Sequence, residues 1–205
     1  MIEIRLEDLS KRFNHEIIFK DVNYSFNSGR CYAITGSNGS GKSTLLKIIS
    51  GFTLPSKGSL IYLLNKKVIE TENIYKYISI ASPYMELIRN LTLNELLSYH
   101  SKFKAFRDGL SVQEVIEKMD LVHARDKMVK NFSSGMSQRL KLGLAFFSEA
   151  SVTFLDEPTT NLDQRGYEWY QKQLKDILHR LVFIASNQPD EYQLSSDILQ
   201  LNDFK

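Results

Sequence analysis

Nine residues, GSNGSGKST from Gly36 to Thr44, constrain this chain more than any other stretch. A short apolar run, RCYAIT, leads into them, and LLKIIS, apolar at helical spacing, follows. The pattern is G-x-x-x-x-G-K-[ST] between a strand and a helix, the context in which that motif cradles phosphate. Backbone N–H groups can wrap a polyphosphate only where no Cβ blocks the approach, which is the reason for Gly36, Gly39 and Gly41. The helix beginning at Lys42 aims its positive end at the same anion. Lys42 is expected to reach the β- and γ-phosphates, Ser43 to ligate Mg²⁺ through Oγ, and Thr44 to add a phosphate hydrogen bond. Ser37, Asn38 and Ser40 complete the loop that lines the nucleotide.

A second motif fits the first. VTFLDEP, Val152–Pro158, is an apolar strand ending in two carboxylates. A magnesium-nucleotide site needs an acidic partner for the metal, and Asp156 is the expected Walker B residue. Glu157 follows it and, by strand alternation, is expected to point the other way, where it can act as general base on the attacking water.

The rest of the chain reads as one α/β domain. Its 205 residues suffice for a single domain with a sizeable core. With 26 basic and 24 acidic residues the net charge is +2, which leaves no electrostatic footprint for nucleic acid. One cysteine, Cys31, excludes an internal disulfide and reads as a small buried hydrophobe. The N-terminal MIEIRLEDLSKRF has no signal-peptide core, and no apolar run approaches the roughly 20 residues that cross a bilayer. Strands are predicted at Ile2–Leu6, Val22–Phe26, Cys31–Thr35, Tyr77–Ala81, Val152–Leu155 and Leu181–Ala185. Helices are predicted at Lys42–Ile49, stopped by Gly51, and at Leu93–Phe103, Val112–Met119, Ser134–Ser148 and Arg165–His179. Thr92–Glu95 and Ser111–Glu114 have capping-box spacing. A helical insert at roughly Thr92–Ala150 in an α/β core is the simplest organisation.

With these motifs in place the sequence resembles the ATP-binding cassette (ABC) ATPases over nearly its whole length. NFSSGMSQRL, Asn131–Leu140, is similar to the family signature, with Ser133, Gly135, Gln138 and Arg139 in register, Ser134 in place of its first glycine and Phe132 in place of its leading leucine. PTTNLD, Pro158–Asp163, looks like the D-loop that ends at Asp163. Phe13 matches the aromatic that stacks on adenine. The resemblance implies a P-loop NTPase core with a mixed sheet, an N-terminal antiparallel β subdomain and an inserted α-helical subdomain. It implies ATP and Mg²⁺ as cofactors. It also implies a head-to-tail dimer with a second ABC ATPase subunit, identical or paralogous. In that dimer Ser133, Ser134, Gly135 and Gln138 close on the partner's ATP. A Ser-Ser-Gly turn opening a helix suits such a task, since it offers a hydroxyl, free N–H groups and a positive dipole end.

Two positions depart from the family. Its histidine after the last core strand is Asn187 here, which donates a hydrogen bond but carries no proton. Its glutamine after the Tyr77–Ala81 strand falls on Pro83, or on Tyr84 with a shift of one. With Lys42, Ser43, Asp156 and Glu157 present, slow hydrolysis is expected. The leading function is the ATPase subunit of a membrane transporter, cytoplasmic and peripheral on the inner face of the membrane, bound to a membrane-spanning permease. PYMELIRN, Pro83–Asn90, lies where the family's coupling contact forms, with Tyr84, Met85, Leu87 and Ile88 available to a groove or to core packing. The alternatives are an ABC-type mechanoenzyme on DNA or the ribosome and a nucleotide-gated binding module. The first is opposed by the single cassette, the missing heptads and the neutral charge. The second is motivated by the two absent polar residues and opposed by Glu157. A GTPase is disfavoured because Asn65–Lys66 lacks the acidic residue that reads guanine.

Overall fold

A computed structural model describes residues 1–205. Its strands sort into two sheets of opposite character. β1 (Ile2–Phe13), β2 (Glu16–Asn27), β4 (Lys57–Leu64) and β5 (Lys67–Ile69) form an antiparallel sheet in the order β2-β1-β4-β5. β6 (Ile78–Ala81), β7 (Val152–Asp156), β8 (Leu181–Ala185), β3 (Cys31–Thr35) and β9 (Asp197–Gln200) form a second sheet in the order β6-β7-β8-β3-β9. Every pairing in that second sheet is parallel. The α/β fold class is as expected, with the detail that parallel and antiparallel strands occupy separate sheets instead of mixing in the core.

The core strands are short apolar runs because both faces are buried. Tyr32, Phe154 and Phe183 point to one layer, which also holds the antiparallel sheet and α1 (Lys42–Ile49). Their neighbours Cys31, Leu155, Val182 and Ile184 point to the other, against the helices. Phe154 and Phe183 stack at 4.9 Å with planes 7° apart, fixing β7 beside β8. Truncating either ring to alanine costs about 3–5 kcal/mol in a core of this kind.

Between β6 and β7 the chain contains α2 (Leu93–Ser101), α3 (Val112–Lys118) and α4 (Ser134–Phe147), joined by short 3₁₀ turns. Both capping boxes form: Thr92 accepts from the Glu95 N–H and Ser111 from the Glu114 N–H, and each glutamate returns the bond. α4 packs on β6 and β7 as well as on α3, so it joins the helical segment to the core. α5 (Gln164–Asp176) lies against α4.

β1 and β2 run well past the predicted strands. Asp8 and Asp21 adopt positive φ inside them, 49° and 53°, and the register slips nearby. Asn23 bridges the irregularity, accepting from the Asp8 N–H at 2.9 Å and donating to its carboxylate at 3.0 Å. Polar residues at a bulge mask a strand from a pattern search. The β4–β5 hairpin turns on Asn65 and Lys66, both at positive φ, as a tight two-residue loop demands.

Candidate active site

Parallel strands send their C-terminal loops to one edge of the sheet, and that edge gathers the predicted chemistry. β3 delivers Gly36–Gly41, β7 delivers Asp156 and Glu157, and β8, which lies between them, delivers Asn187. The loop after β3 curls through Gly39 at φ +76° and Gly41 at φ +101° before α1 begins at Lys42. A Cβ on Gly41 would stand 2.3 Å from Ile18 Cγ2, so β2 itself presses on the loop. A Cβ on Gly39 meets nothing within 4 Å, so its left-handed backbone and not crowding calls for glycine there. Ser40 Oγ is fully buried with no hydrogen-bond partner.

Lys42 is 6% exposed and folds its ammonium back over the loop, donating to the carbonyls of Gly36 at 2.9 Å and Ser37 at 3.1 Å. Burial pushes its pKa below the usual lysine value, while Glu157 and Asp156 act in the opposite sense. Ser43 donates its hydroxyl to Asp156 Oδ1 at 3.0 Å. The Asp156 pKa is raised, first by burial; the Ser43 hydroxyl works against that rise.

Glu157 differs from its expectation in one respect. The strand ends at Asp156, and Glu157 has φ 44°, so a left-handed backbone and not strand alternation sets its direction. Such a conformation costs a non-glycine residue of order 1–3 kcal/mol and persists only where the surroundings enforce it. Here its N–H donates to the Ala185 carbonyl at 2.9 Å. Two further ties brace the turn. Gln138 Nε2 donates to Pro158 O at 2.7 Å, and the Thr159 N–H donates to Glu191 Oε1 at 2.8 Å, joined by the Thr159 hydroxyl on the same oxygen. The carboxylate of Glu157 itself faces solvent.

The remaining sequence-derived residues divide. Phe13 is half exposed at the end of β1, with Lys11 Nζ 4.9 Å over its ring. Asn187 donates to Asn38 Oδ1 at 2.6 Å, a direct contact across the glycine loop. Ser133 caps α4 by accepting from the Met136 N–H, and Ser134 beside it is exposed. Ser133, Gly135, Asn161 and Asp163 line a separate cavity of about 290 Å³. Within one chain, therefore, these residues do not join the glycine loop. Asp163 caps α5, accepting from the Gly166 N–H at 2.7 Å. Gln138 turns the opposite way from Ser133: it is 4% exposed and donates to Pro158 O inside the molecule.

Pattern reading missed three contributors. Ser82 lies beside Asp156, Lys141 holds the backbone after β6, and Glu191 anchors Thr159. Each acts through tertiary contact, and no local motif marks any of them. Of the apolar residues after β6, Tyr84 and Ile88 are exposed, whereas Met85 and Leu87 pack against the helical core.

A glycine loop between a parallel strand and a helix, with a serine on the acid ending a nearby strand, defines a P-loop nucleotide-binding protein. The family model for ABC transporters matches residues 19–160, and the chain belongs to that family. It is 29% identical over 163 residues to the Bacillus subtilis ABC transporter ATP-binding protein YcbN, covering 80% of this chain and 53% of that one. It is 28% identical to YybJ of the same organism over 98% of this chain and 93% of that one. Among solved structures, the dimeric post-hydrolysis state of the cassette MJ0796 bound to ADP and Pi superposes with a TM-score of 0.81 at 22% identity, covering 96% and 93% of the two chains. The chain thus spans about half of one relative and nearly all of another.

Proposed function

We propose that this chain is the ATP-binding and ATP-hydrolysing subunit of a membrane transporter. The observation that carries the reading is the 3.0 Å contact between Ser43, on the first turn after the glycine loop, and Asp156 at the end of β7. It joins the phosphate loop to the acid of the second motif, 113 residues away.

The donor set near Asp156 fits Mg²⁺. It consists of oxygen atoms alone, and no group of three or more His, Cys, Asp or Glu forms a self-sufficient metal cage. Mg²⁺ is typically held by one or two protein oxygens plus substrate phosphates. Asp156 and Ser43 would hold it, and when bound it neutralises charge on the β- and γ-phosphates.

The residues then take these roles. Amides of Gly36–Gly41 and the start of α1 bind the phosphates, with Thr44 adding a hydroxyl. Lys42 exchanges two loop carbonyls for phosphate oxygens. Phe13 offers its free face to the adenine. Glu157 takes a proton as the oxygen of water attacks the γ-phosphorus and the bond to the β-phosphate oxygen breaks, giving ADP and phosphate. Asn187, next to Asn38, donates to the γ-phosphate in place of a histidine.

Ser133, Ser134 and Gly135 are turned away from their own loop, which supports completion of the site by a second cassette arranged head to tail. MJ0796 is dimeric in its ADP and Pi state, and the same assembly, of identical or paralogous chains, is proposed here. Asp163 belongs to that interface through the turn it caps. The Thr92–Ala150 segment is proposed as the helical subdomain, placed to engage a permease at the cytoplasmic face. No helix of this chain is long and apolar enough to cross a membrane. An apolar groove of about 370 Å³, lined by Phe52, Tyr75, Ile88, Tyr99 and Phe103 among others, supports that docking.

Release of phosphate from ATP by purified protein tests the reading. Glu157→Gln is expected to lower the rate at least 100-fold with ATP still bound. An unchanged rate removes Glu157 as base. Asn187→His is expected to raise the rate several-fold.

A further inference from the structure

The cavity of about 290 Å³ that Ser133 and Gly135 line carries charge as well as hydroxyls, for Asp120, His123, Arg139 and Arg165 share its wall. Asp120 follows the end of α3 with φ 57°. Its Oδ2 accepts from Arg139 Nη1 at 2.9 Å and lies 3.0 Å from Arg165 Nη2. One carboxylate oxygen therefore serves two guanidinium groups, and the trio keeps a net positive charge. The other acid of the cavity is engaged as well, since Asp163 Oδ1 accepts from the Gly166 N–H.

The two arginines are held very differently. Arg139 has 12% of its side chain exposed and lies over the Trp169 ring, 5.4 Å from its centroid. That ring is itself pinned, donating from Nε1 to Lys118 O at 2.7 Å. Arg165, on the first turn of α5, leaves 78% of its side chain in solvent and has no ion partner except the shared oxygen. A cation there opposes the helix dipole, so the position does not serve α5 itself. An exposed ion pair is worth about 0–1 kcal/mol, so exchanging it for a phosphate costs little. A phosphate group offers the guanidinium two oxygens at once. At the glycine loop, Asn187 supplies a hydrogen bond but no charge, so a cation brought from outside the chain has a task there.

We propose that Arg165 is a catalytic residue that acts across a dimer of this chain. It leaves Asp120 and binds the γ-phosphate held by the partner's glycine loop, stabilising the charge there as the bond to the β-phosphate oxygen breaks. Arg139 stays on Asp120 and keeps that acid from recapturing it. The proposal rests on the head-to-tail nucleotide reading above, and its test separates the two. ATP hydrolysis by the purified chain is measured with Mg²⁺, and binding of ADP, which lacks the γ-phosphate, by equilibrium dialysis. Arg165→Ala is expected to lower kcat about 10- to 100-fold, the size of a lost hydrogen bond to a charged group, with ADP affinity unchanged. Arg165→Lys is expected to recover about a third of the parental rate or more, since it restores charge without the fork. Equal amounts of Arg165→Ala and Glu157→Gln chains, each slow alone, are expected to regain about one quarter of the parental rate when mixed. Half of those dimers are mixed, and each mixed dimer holds one site with both Glu157 and the partner's Arg165. A structural role within its own chain gives no such recovery. An Arg165→Ala rate within about twofold of the parent, or a mixture no faster than the mean of its components, overturns the assignment while the nucleotide site stands. A folded parent that binds neither ATP nor ADP overturns both.

Discussion

Lys42, Glu157 and Cys31 are each defined by what surrounds them more than by what they are. Lys42 stabilises its own loop through two carbonyls before any ligand arrives. Glu157 occupies a left-handed conformation that only a braced turn can impose. Cys31 opens β3 at 3% exposure, and burial pushes its thiol from an ordinary value near 9 up to about 11. The linkage has a definite sign. The fold favours the protonated thiol, so its contribution is complete below pH 9 and is lost as pH rises toward 11. Urea unfolding at pH 8 and at pH 11 is therefore expected to show an alkaline loss in the parent that is about 2 kcal/mol smaller in Cys31→Ala. Equal losses in the two proteins contradict the burial of the thiol.

Among the elements, α4 links the most. Its capped start presents Ser133 and Ser134 to solvent, Gln138 ties it to Pro158, and Lys141 ties it to Ser82 and Pro83. A helix turns about 100° per residue, so neighbouring positions of one motif face opposite directions. Gln138 illustrates the point: motif register groups it with Ser133, whereas the helix turns its side chain inward to Pro158. Gln138→Met leaves the Pro158 carbonyl without its donor and is expected to cost about 1–3 kcal/mol in chemical denaturation. Ser134→Ala, on the exposed side, is expected to stay within about 0.5 kcal/mol of the parent. Equal costs at the two positions contradict the orientation assigned to α4.

Elements with strong local signals were legible in the sequence. The β3–loop–α1 unit, both capping boxes and β8 follow from apolar runs, glycines and hydroxyl-to-carboxylate spacing. β9 was not, because four residues with a single buried side chain, Leu199, become a strand only by pairing with β3. β4 and β5 carry no such signal, since their turn Asn65–Lys66 lacks a glycine and takes positive φ at both residues only within the paired hairpin. Ser82 carries no local signal either, because only the register of β6 on β7 brings it beside Asp156.

On the scale of the molecule, five parallel strands bring four loops to one edge, and three of those loops meet around one buried carboxylate and one glycine loop. The antiparallel sheet presses β2 onto that loop, and the helical segment reaches it through α4. The site is thus a junction of every layer in the fold, which is the arrangement needed if a bound triphosphate is to move one layer against another. The central element of the proposed function is the caging of phosphates by the Gly36–Gly41 amides with Lys42 as the charged partner. Equilibrium binding of radiolabelled ATP with Mg²⁺, comparing Glu157→Gln with and without Lys42→Met, tests that element most directly. One ATP per chain is expected, with affinity falling about 10- to 100-fold on loss of the ammonium, in line with hydrogen bonds to charged groups. Equal affinity in the two proteins would place the nucleotide elsewhere and contradict the account.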